Sequence, residues 1–172
     1  VKGVRSQNEL AQESSEVADF WNMLQGFQTS GKCVDKAHYR IRYMKSFRPI
    51  SVKEDIEFKE ARPILYLNMA AVASLFNSRN MNATANRSNW STITSYLKSH
   101  SSFLGLKQDR FTILLPSGLP DYSIEIVNNE QIRKVKVNRP KALCFDYLQL
   151  KEAFGLELET EMVSDAQDSE GV

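Results

Sequence analysis

The side chains whose types and spacing could bind a ligand are hydroxyls and cations. Paired acids and metal ligands do not form such a pattern in this sequence. Five short hydroxyls and a lysine recur between residues 89 and 100, and five Lys or Arg residues lie between 131 and 141. Such groups bind phosphate oxygens and neutralise phosphate charge, which predicts nucleic-acid recognition. The residues that carry this prediction are Arg79, Arg87, Ser91, Thr92, Ser95, Lys98, Arg133, Lys134, Lys136 and Arg139.

Catalytic and metal-binding signatures are missing from the sequence. His38 and His100 are far apart and have no Cys, Asp or Glu at ligand spacing, so we expect no metal site. The sequence contains no phosphate-binding glycine loop, dinucleotide-binding fingerprint, nucleophile elbow or zinc-protease motif. We therefore expect no cofactor and no enzymatic activity in this segment.

The formal net charge of +1 hides a strong asymmetry along the chain. Residues 79–142 hold ten cations and four acids, a net charge of +6. Residues 143–172 hold one cation and eight acids, a net charge of −7. The middle of the chain is therefore expected to attract a polyanion such as DNA, and the C-terminal part to repel one.

The cysteines and the hydropathy of the sequence indicate the redox environment of the protein and its relation to membranes. Cys33 and Cys144 lie far apart and outside any CxxC spacing, which favours two free thiols in a reducing cytoplasm, with a single disulfide as the alternative. No run approaches the roughly 18 apolar residues that span a bilayer, so we expect no membrane association. The first residues read as a linker, and we interpret the chain as a segment of a larger protein.

Periodicity predicts the elements that must position the phosphate-binding groups. Apolar residues three and four apart predict a helix over 9–29. Strict alternation over 38–44 predicts a half-buried strand, with Arg40 and Arg42 on the face away from the core. A short strand at 56–59 follows, and Pro63 opens the next one.

A pair of helices and a series of strands complete the predicted order. Asn68 is a suitable cap for a helix that runs to about Arg79, and an Asn-rich loop leads to a second helix over 89–100. Asp146 and Gln149 predict a capping box for a last helix, which Gly155 ends. The strands predicted between the helices are 110–115, 122–127, 131–137 and 142–145.

Two helices followed by a basic β-ribbon predict an α+β fold with a winged helix-turn-helix-like core, an added N-terminal helix and extra β-strands. In such a fold the second helix docks against a groove or backbone, and the ribbon is a wing that contacts phosphates. The predicted organisation is a loose linker at 1–8, a single winged-helix-like domain at 9–156 and an acidic tail at 157–172, whose composition predicts disorder.

Other interpretations of the same residues stay open. The Ser and Thr side chains would also suit an ordinary solvated helix face, and Lys and Arg would also protect an exposed edge strand from aggregation. Winged helices often bind proteins, so a protein–protein interaction module of a larger multidomain protein is the alternative function. Exposed tyrosines would stack on single-stranded bases, but the periodicity places most of them in the core.

Four segments together resemble a known family: FWNMLQGFQTSGKCVDKAHYRIRY, PILYLNMAAVASLFNSR, TITSYLKSHSSFLGLK and KALCFDYLQL. Their series is similar to the C-terminal winged-helix-like domain that follows the ATPase or helicase core in replication proteins of bacterial mobile elements, including primase–helicase proteins. The resemblance spans about residues 15–155. It implies a non-enzymatic, helicase-associated accessory domain that binds DNA or a neighbouring subunit, together with other domains of a parent replication protein. It carries over no catalytic residues.

Overall fold

In a computed structural model, the described residues are 7–79, 90–160 and 163–164. They form a mixed arrangement of helices and largely antiparallel strands, which confirms the α+β class. The elements are α1 (Gln7–Thr29), β1 (Tyr39–Phe47), β2 (Ile56–Leu67), α2 (Met69–Arg79), α3 (Trp90–Ser99), β3 (Phe103–Gln108), β4 (Phe111–Thr112), β5 (Tyr122–Val127), β6 (Glu130–Val135), β7 (Val137–Asn138), β8 (Lys141–Asp146), α4 (Tyr147–Phe154) and β9 (Val163–Ser164).

A five-stranded sheet in the order β3-β8-β2-β1-β9 organises the fold. Its neighbouring strands run antiparallel, except that β9 is parallel to β1. Two small ribbons, β4–β7 and β5–β6, lie within the connection between β3 and β8. The chain therefore places the helix pair α2 and α3 between β2 and β3, and the ribbons between the adjacent strands β3 and β8.

One face of the sheet packs against the helices. Trp21 and Leu24 of α1 and Leu97 of α3 share a core with inward residues of β1, β2 and β8. The ring of Trp21 meets that of Phe145 edge-on, with centroids 5.1 Å apart. This face contains the predicted apolar stripes of α1 and α2, because residues three and four apart project from one side of a helix.

The opposite face of the sheet is also covered. Ile64 and Cys144 lie in a second apolar cluster with Phe111, which comes from β4 at the base of the ribbons. The prediction of a half-buried β1 is therefore wrong, because Arg40 and Arg42 are only 7% and 8% exposed. Alternation revealed which residues share a face of β1, but not that the second face has a cover.

Several strands differ from the predictions. The predicted strand 110–115 is only Phe111–Thr112, and the predicted strand 131–137 is divided between β6 and β7. β2 is one continuous strand through Pro63, which lies opposite Tyr43 of β1. On its other side β2 pairs with β8 only from Ile64 onward, so the missing N–H of Pro63 interrupts no ladder there. β3 escaped prediction because Gly105, at φ +140°, lies at a register shift against β8 and breaks the alternation. A Cβ on Gly105 would lie 2.5 Å from Cβ of Pro49.

The predicted capping box of α4 is not formed. Asp146 occupies the N-cap position but makes no side-chain cap hydrogen bond. Its carboxylate instead accepts hydrogen bonds from Nη2 of Arg62 at 3.0 and 2.8 Å, and the Gln149 amide donates to Ser101. The predicted stop at Gly155 is confirmed, because this residue has φ 66° and its N–H closes the last turn.

The acidic C-terminal segment begins as part of the fold. Leu158 is 6% exposed, and its N–H donates to the hydroxyl of Tyr147 at 2.9 Å. The Thr160 hydroxyl donates to Asp35 at 3.1 Å. The prediction of disorder is therefore wrong for 157–160, since the acidic composition obscured the buried leucines. Gln7 and Asn8, predicted as linker, belong to α1, and residues 1–6, 161–162 and 165–172 lie outside the described residues.

Candidate nucleic-acid interface

Helix α3 holds its hydroxyl groups on the side away from the core. Leu97 is fully buried, and Trp90 and Ile93 pack against the same cluster while remaining partly exposed. The predicted apolar stripe of this helix is thus confirmed. The outward side carries Ser91, Ser95, Lys98 and Ser99, with Thr92 half-buried at its margin.

Contacts with α2 fix the start of α3. The ring of Trp90 packs against Phe76 with centroids 5.4 Å apart, and its Nε1 donates to Oδ1 of Asn77 at 3.2 Å. Trp90 also borders a shallow depression that runs along the outer side of α3. The hydroxyl and ammonium groups of this depression suit phosphate or sugar oxygens. Its lining residues are Trp90, Ser91, Thr94, Ser95, Lys98 and Ser99.

The β5–β6 ribbon is a hairpin with a two-residue turn. Asn128 and Asn129 have φ 52° and 65°, the left-handed pair of a type I′ turn, which confirms the predicted turn. Directly opposite residues of an antiparallel pair share a face, so the register divides the side chains into two sets. The aliphatic face carries Tyr122, Ile124, Ile126, Gln131, Arg133 and Val135, and the charged face carries Ser123, Glu125, Val127, Glu130, Ile132 and Lys134.

The predicted cations of the ribbon do not share one face. Arg133 is the sole charged residue of the aliphatic face, where its guanidinium lies 4.0 Å from the ring centre of Tyr122. Lys134 lies on the charged face, diagonally across from Glu125. Lys136, which follows β6, pairs with Asp121 at 3.4 Å. The ribbon is therefore less cationic on either face than its sequence suggests.

Two further cations lie at the base of the ribbon. Arg139 is exposed between β7 and β8. Lys141, at the start of β8, is exposed and pairs in register with Gln108. Because Leu143 and Phe145 of β8 face the helices, the alternation of the strand places Lys141 on the same face of the sheet as α3.

α3 and β4 pack on opposite faces of the sheet, so the ribbon base reaches the helix side only at Lys141. Leu97 of α3 lies in the cluster on the helix side, whereas Phe111 of β4 lies in the second cluster. The structure thus groups Ser91, Ser95 and Lys98 on α3 and places Arg133, Lys134 and Lys136 in a separate group. Arg79 ends α2, and its side chain and the whole of Arg87 lie outside the described part of the chain.

Sequence reasoning missed the residues that anchor the ribbon base. Nε and Nη2 of Arg42 donate to the Asp109 carboxylate at 2.7 and 2.6 Å, and both side chains are more than nine-tenths buried. Nη1 of Arg40 donates to the carbonyl oxygen of Arg110 at 2.7 Å. These bonds join β1 to the segment that leads into β4. The paired arginines of β1 were the available signal, but their partners lie about seventy residues away in sequence.

Burial favours the uncharged forms of Cys33, Cys144 and His38. Burial, followed by the nearby Asp35 charge, raises the pKa of Cys33 to about 12, and burial also raises the pKa of Cys144. Both cysteines are free, as predicted, and their neutral thiols are weak nucleophiles. Burial lowers the pKa of His38, whose Nδ1 accepts the Val34 N–H at 3.0 Å.

Other kinds of site find little support in the described ranges. Within residues 7–79, 90–160 and 163–164, no group of three or more His, Cys, Asp or Glu side chains is placed to hold a metal ion. No helix in those ranges combines the length and apolar character needed to cross a bilayer. Comparison with known proteins finds no matching family model, no matching curated protein and no matching solved structure.

Proposed function

We propose that this chain is a non-enzymatic DNA-binding domain with a winged helix-turn-helix-like core. The order of the elements supports this proposal, because a helix pair precedes two adjacent antiparallel strands, β3 and β8, that are joined through an exposed ribbon. The ribbon thus occupies the place of a wing. The long α2–α3 connection, at residues 80–89, lies outside the described residues.

The outer side of α3 carries the proposal. Ser91 and Ser95 are one turn apart and exposed, and Lys98 follows on the same side. Short hydroxyls permit close approach of a sugar-phosphate backbone, and a lysine near the end of the helix adds charge. Because the apolar side of α3 is already packed in the core, this polar side can face a groove without disturbing that packing.

The cations proposed to contact phosphates are not equally available. Lys98 on α3 and Arg139 at the ribbon base are exposed cations, and Lys141 lies on the same sheet face as α3. Lys136 would have to exchange its contact with Asp121, and Lys134 lies diagonally across from Glu125, so both contribute less. DNA would therefore approach the helix side of the sheet, where Lys98 and Lys141 lie, rather than the ribbon tip.

The biological setting is part of the same proposal. The sequence resemblance to the domain that follows the motor of mobile-element replication proteins supports an accessory role in DNA replication. In that setting the domain would hold DNA for an ATPase or helicase elsewhere in a parent chain. A reducing cytoplasm suits the two free thiols.

A salt titration of DNA binding tests the proposal. Fluorescence anisotropy of a labelled duplex, and of its single strand, is measured with the chain at increasing salt. We expect the logarithm of the affinity to fall linearly with the logarithm of salt concentration, with a slope on the order of −2 to −3 for three phosphate contacts. Absence of binding at low salt, or an affinity that does not depend on salt, would contradict the proposal.

A further inference from the structure

The aliphatic face of the β5–β6 ribbon is an apolar surface that the described residues leave uncovered. Tyr122, Ile124 and Ile126 are 39%, 66% and 74% exposed. Their alternation with Ser123 and Glu125 is typical of a strand with one face on an apolar layer and the other in water. A β-sheet with this pattern, and with no covering layer among the described residues, is typical of a contact surface.

The outer edge of β5 is open and poorly protected. β5 and β6 form a two-stranded sheet, so no strand of the described ranges neighbours β5 on its far side. Val127 and Glu130 flank the two-residue turn as a hydrogen-bonded pair, so by alternation the N–H and C=O of Ile124 point to the open edge. β5 contains no Lys or Pro and a single charge, Glu125, although such residues are what usually block edge pairing.

We propose that two copies of this chain associate by antiparallel pairing of their β5 strands, which forms a four-stranded sheet in the order β6-β5-β5-β6. The two-fold axis passes beside Ile124, so that Ile124 lies opposite Ile124 of the second copy. Tyr122 then lies opposite Ile126, an aromatic–β-branched pair that is favourable across strands. The outward N–H and C=O groups of both strands become paired, and the apolar rows of the two aliphatic faces adjoin.

Charge favours this register over the one whose two-fold axis lies at Glu125. A shift that centres the axis on Glu125 would place two carboxylates directly opposite each other, which is destabilising. In the proposed register Glu125 lies opposite Ser123. A four-stranded sheet is also more stable than an isolated hairpin, which is marginal in water.

Charge also favours edge pairing over stacking of the aliphatic faces. Stacked faces would bring Arg133 of both copies into one layer that contains no acid. Edge pairing leaves the two Arg133 side chains three strand spacings apart, roughly 14 Å. Each guanidinium keeps its contact with Tyr122. This association is independent of the DNA-binding proposal, because α3 and Arg139 take no part in it.

Sedimentation velocity of the full chain, over concentrations that reach about 100 μM, tests the association. We expect a monomer–dimer equilibrium and a dissociation constant at least about tenfold higher in Ile124→Lys, which places two lysines at the two-fold axis. Ile132→Lys, on the charged face of the same ribbon, is the matched control and leaves the equilibrium unchanged. A monomer at every concentration, or equal effects of the two substitutions, overturns the proposal and leaves the aliphatic face to a different protein or to nucleic acid.

Disulfide trapping tests the register. Hydrogen-bonded antiparallel pairs have Cα atoms about 5.5 Å apart, within the range of a disulfide. Ile124→Cys is therefore expected to give a covalent dimer with oxidised glutathione, whereas Glu125→Cys, opposite Ser123 in the second copy, is not. The native thiols Cys33 and Cys144 are buried and give little background. No covalent dimer at position 124, or equal trapping at 125, overturns the register.

Discussion

Asp109→Ala is expected to lower the free energy of unfolding by roughly 3–5 kcal/mol, because it leaves the buried Arg42 guanidinium without its carboxylate. Both hydrogen bonds of the pair are short, and the Asp109 carboxylate also accepts the Arg110 N–H at 2.7 Å. This decrease would be a large part of the total stability of an ordinary domain, about 5–15 kcal/mol. Urea unfolding followed by circular dichroism measures it.

An exposed ion pair of similar geometry provides the control. Nε of Arg48 lies 2.6 Å from Asp55, but the Arg48 side chain is 57% exposed. Asp55→Ala should therefore cost about 0–1 kcal/mol. Replacing both buried partners, Arg42→Met with Asp109→Leu, should recover much of the stability, since no charge remains buried. Equal costs for Asp109→Ala and Asp55→Ala would show that the buried pair does not anchor the ribbon base.

Reversing the exposed cations of the proposed interface is expected to weaken DNA binding strongly. Lys98→Glu combined with Lys141→Glu should lower the affinity at low salt by at least about tenfold, which is about 1.4 kcal/mol. The salt slope should become shallower by roughly 0.9 for each phosphate that the variant no longer neutralises. The decrease in affinity should be similar for duplexes of different sequence, because binding to phosphates carries no sequence information.

A matched double variant separates local contact from net charge. Lys32 follows α1 and Lys53 lies in the turn between β1 and β2, and both are exposed. Lys32→Glu combined with Lys53→Glu changes the net charge by the same amount, but outside α3 and the ribbon base. We expect it to retain most of the affinity. If both double variants weaken binding equally, binding depends on overall charge and the interface is not at α3 and the ribbon base.

Local patterns predicted much of the fold. Apolar spacing identified α1, α2 and α3, signals at both ends identified α4, and the Asn128-Asn129 turn identified the β5–β6 hairpin. These features depend on neighbouring residues in the chain, so a single sequence contains them. The outward side of α3 was predicted for the same reason, because helix periodicity decides which residues share a side.

Features that depend on distant partners were not predictable in this way. The segment after β3 covers Arg40 and Arg42. Asp146 makes no capping hydrogen bond, because its carboxylate accepts hydrogen bonds from Arg62 of β2 instead. The predicted basic ribbon is a further example. Its cations are dense in sequence, but the hairpin register separates Arg133 from Lys134, and Lys136 meets Asp121. A count of charges in sequence contains none of this geometry.

The most direct test of DNA binding by α3 and the ribbon base is a residue-resolved titration. Amide ¹H–¹⁵N NMR spectra of the labelled chain are recorded while a short duplex is added. We expect the amides of Ser91, Ser95 and Lys98 and those around Lys141 to shift or broaden, with the turn at 48–55, which follows Phe47 of the second cluster, as the internal control. Unchanged α3 amides at saturating duplex, or changes confined to the aliphatic face of the ribbon, would contradict the proposal.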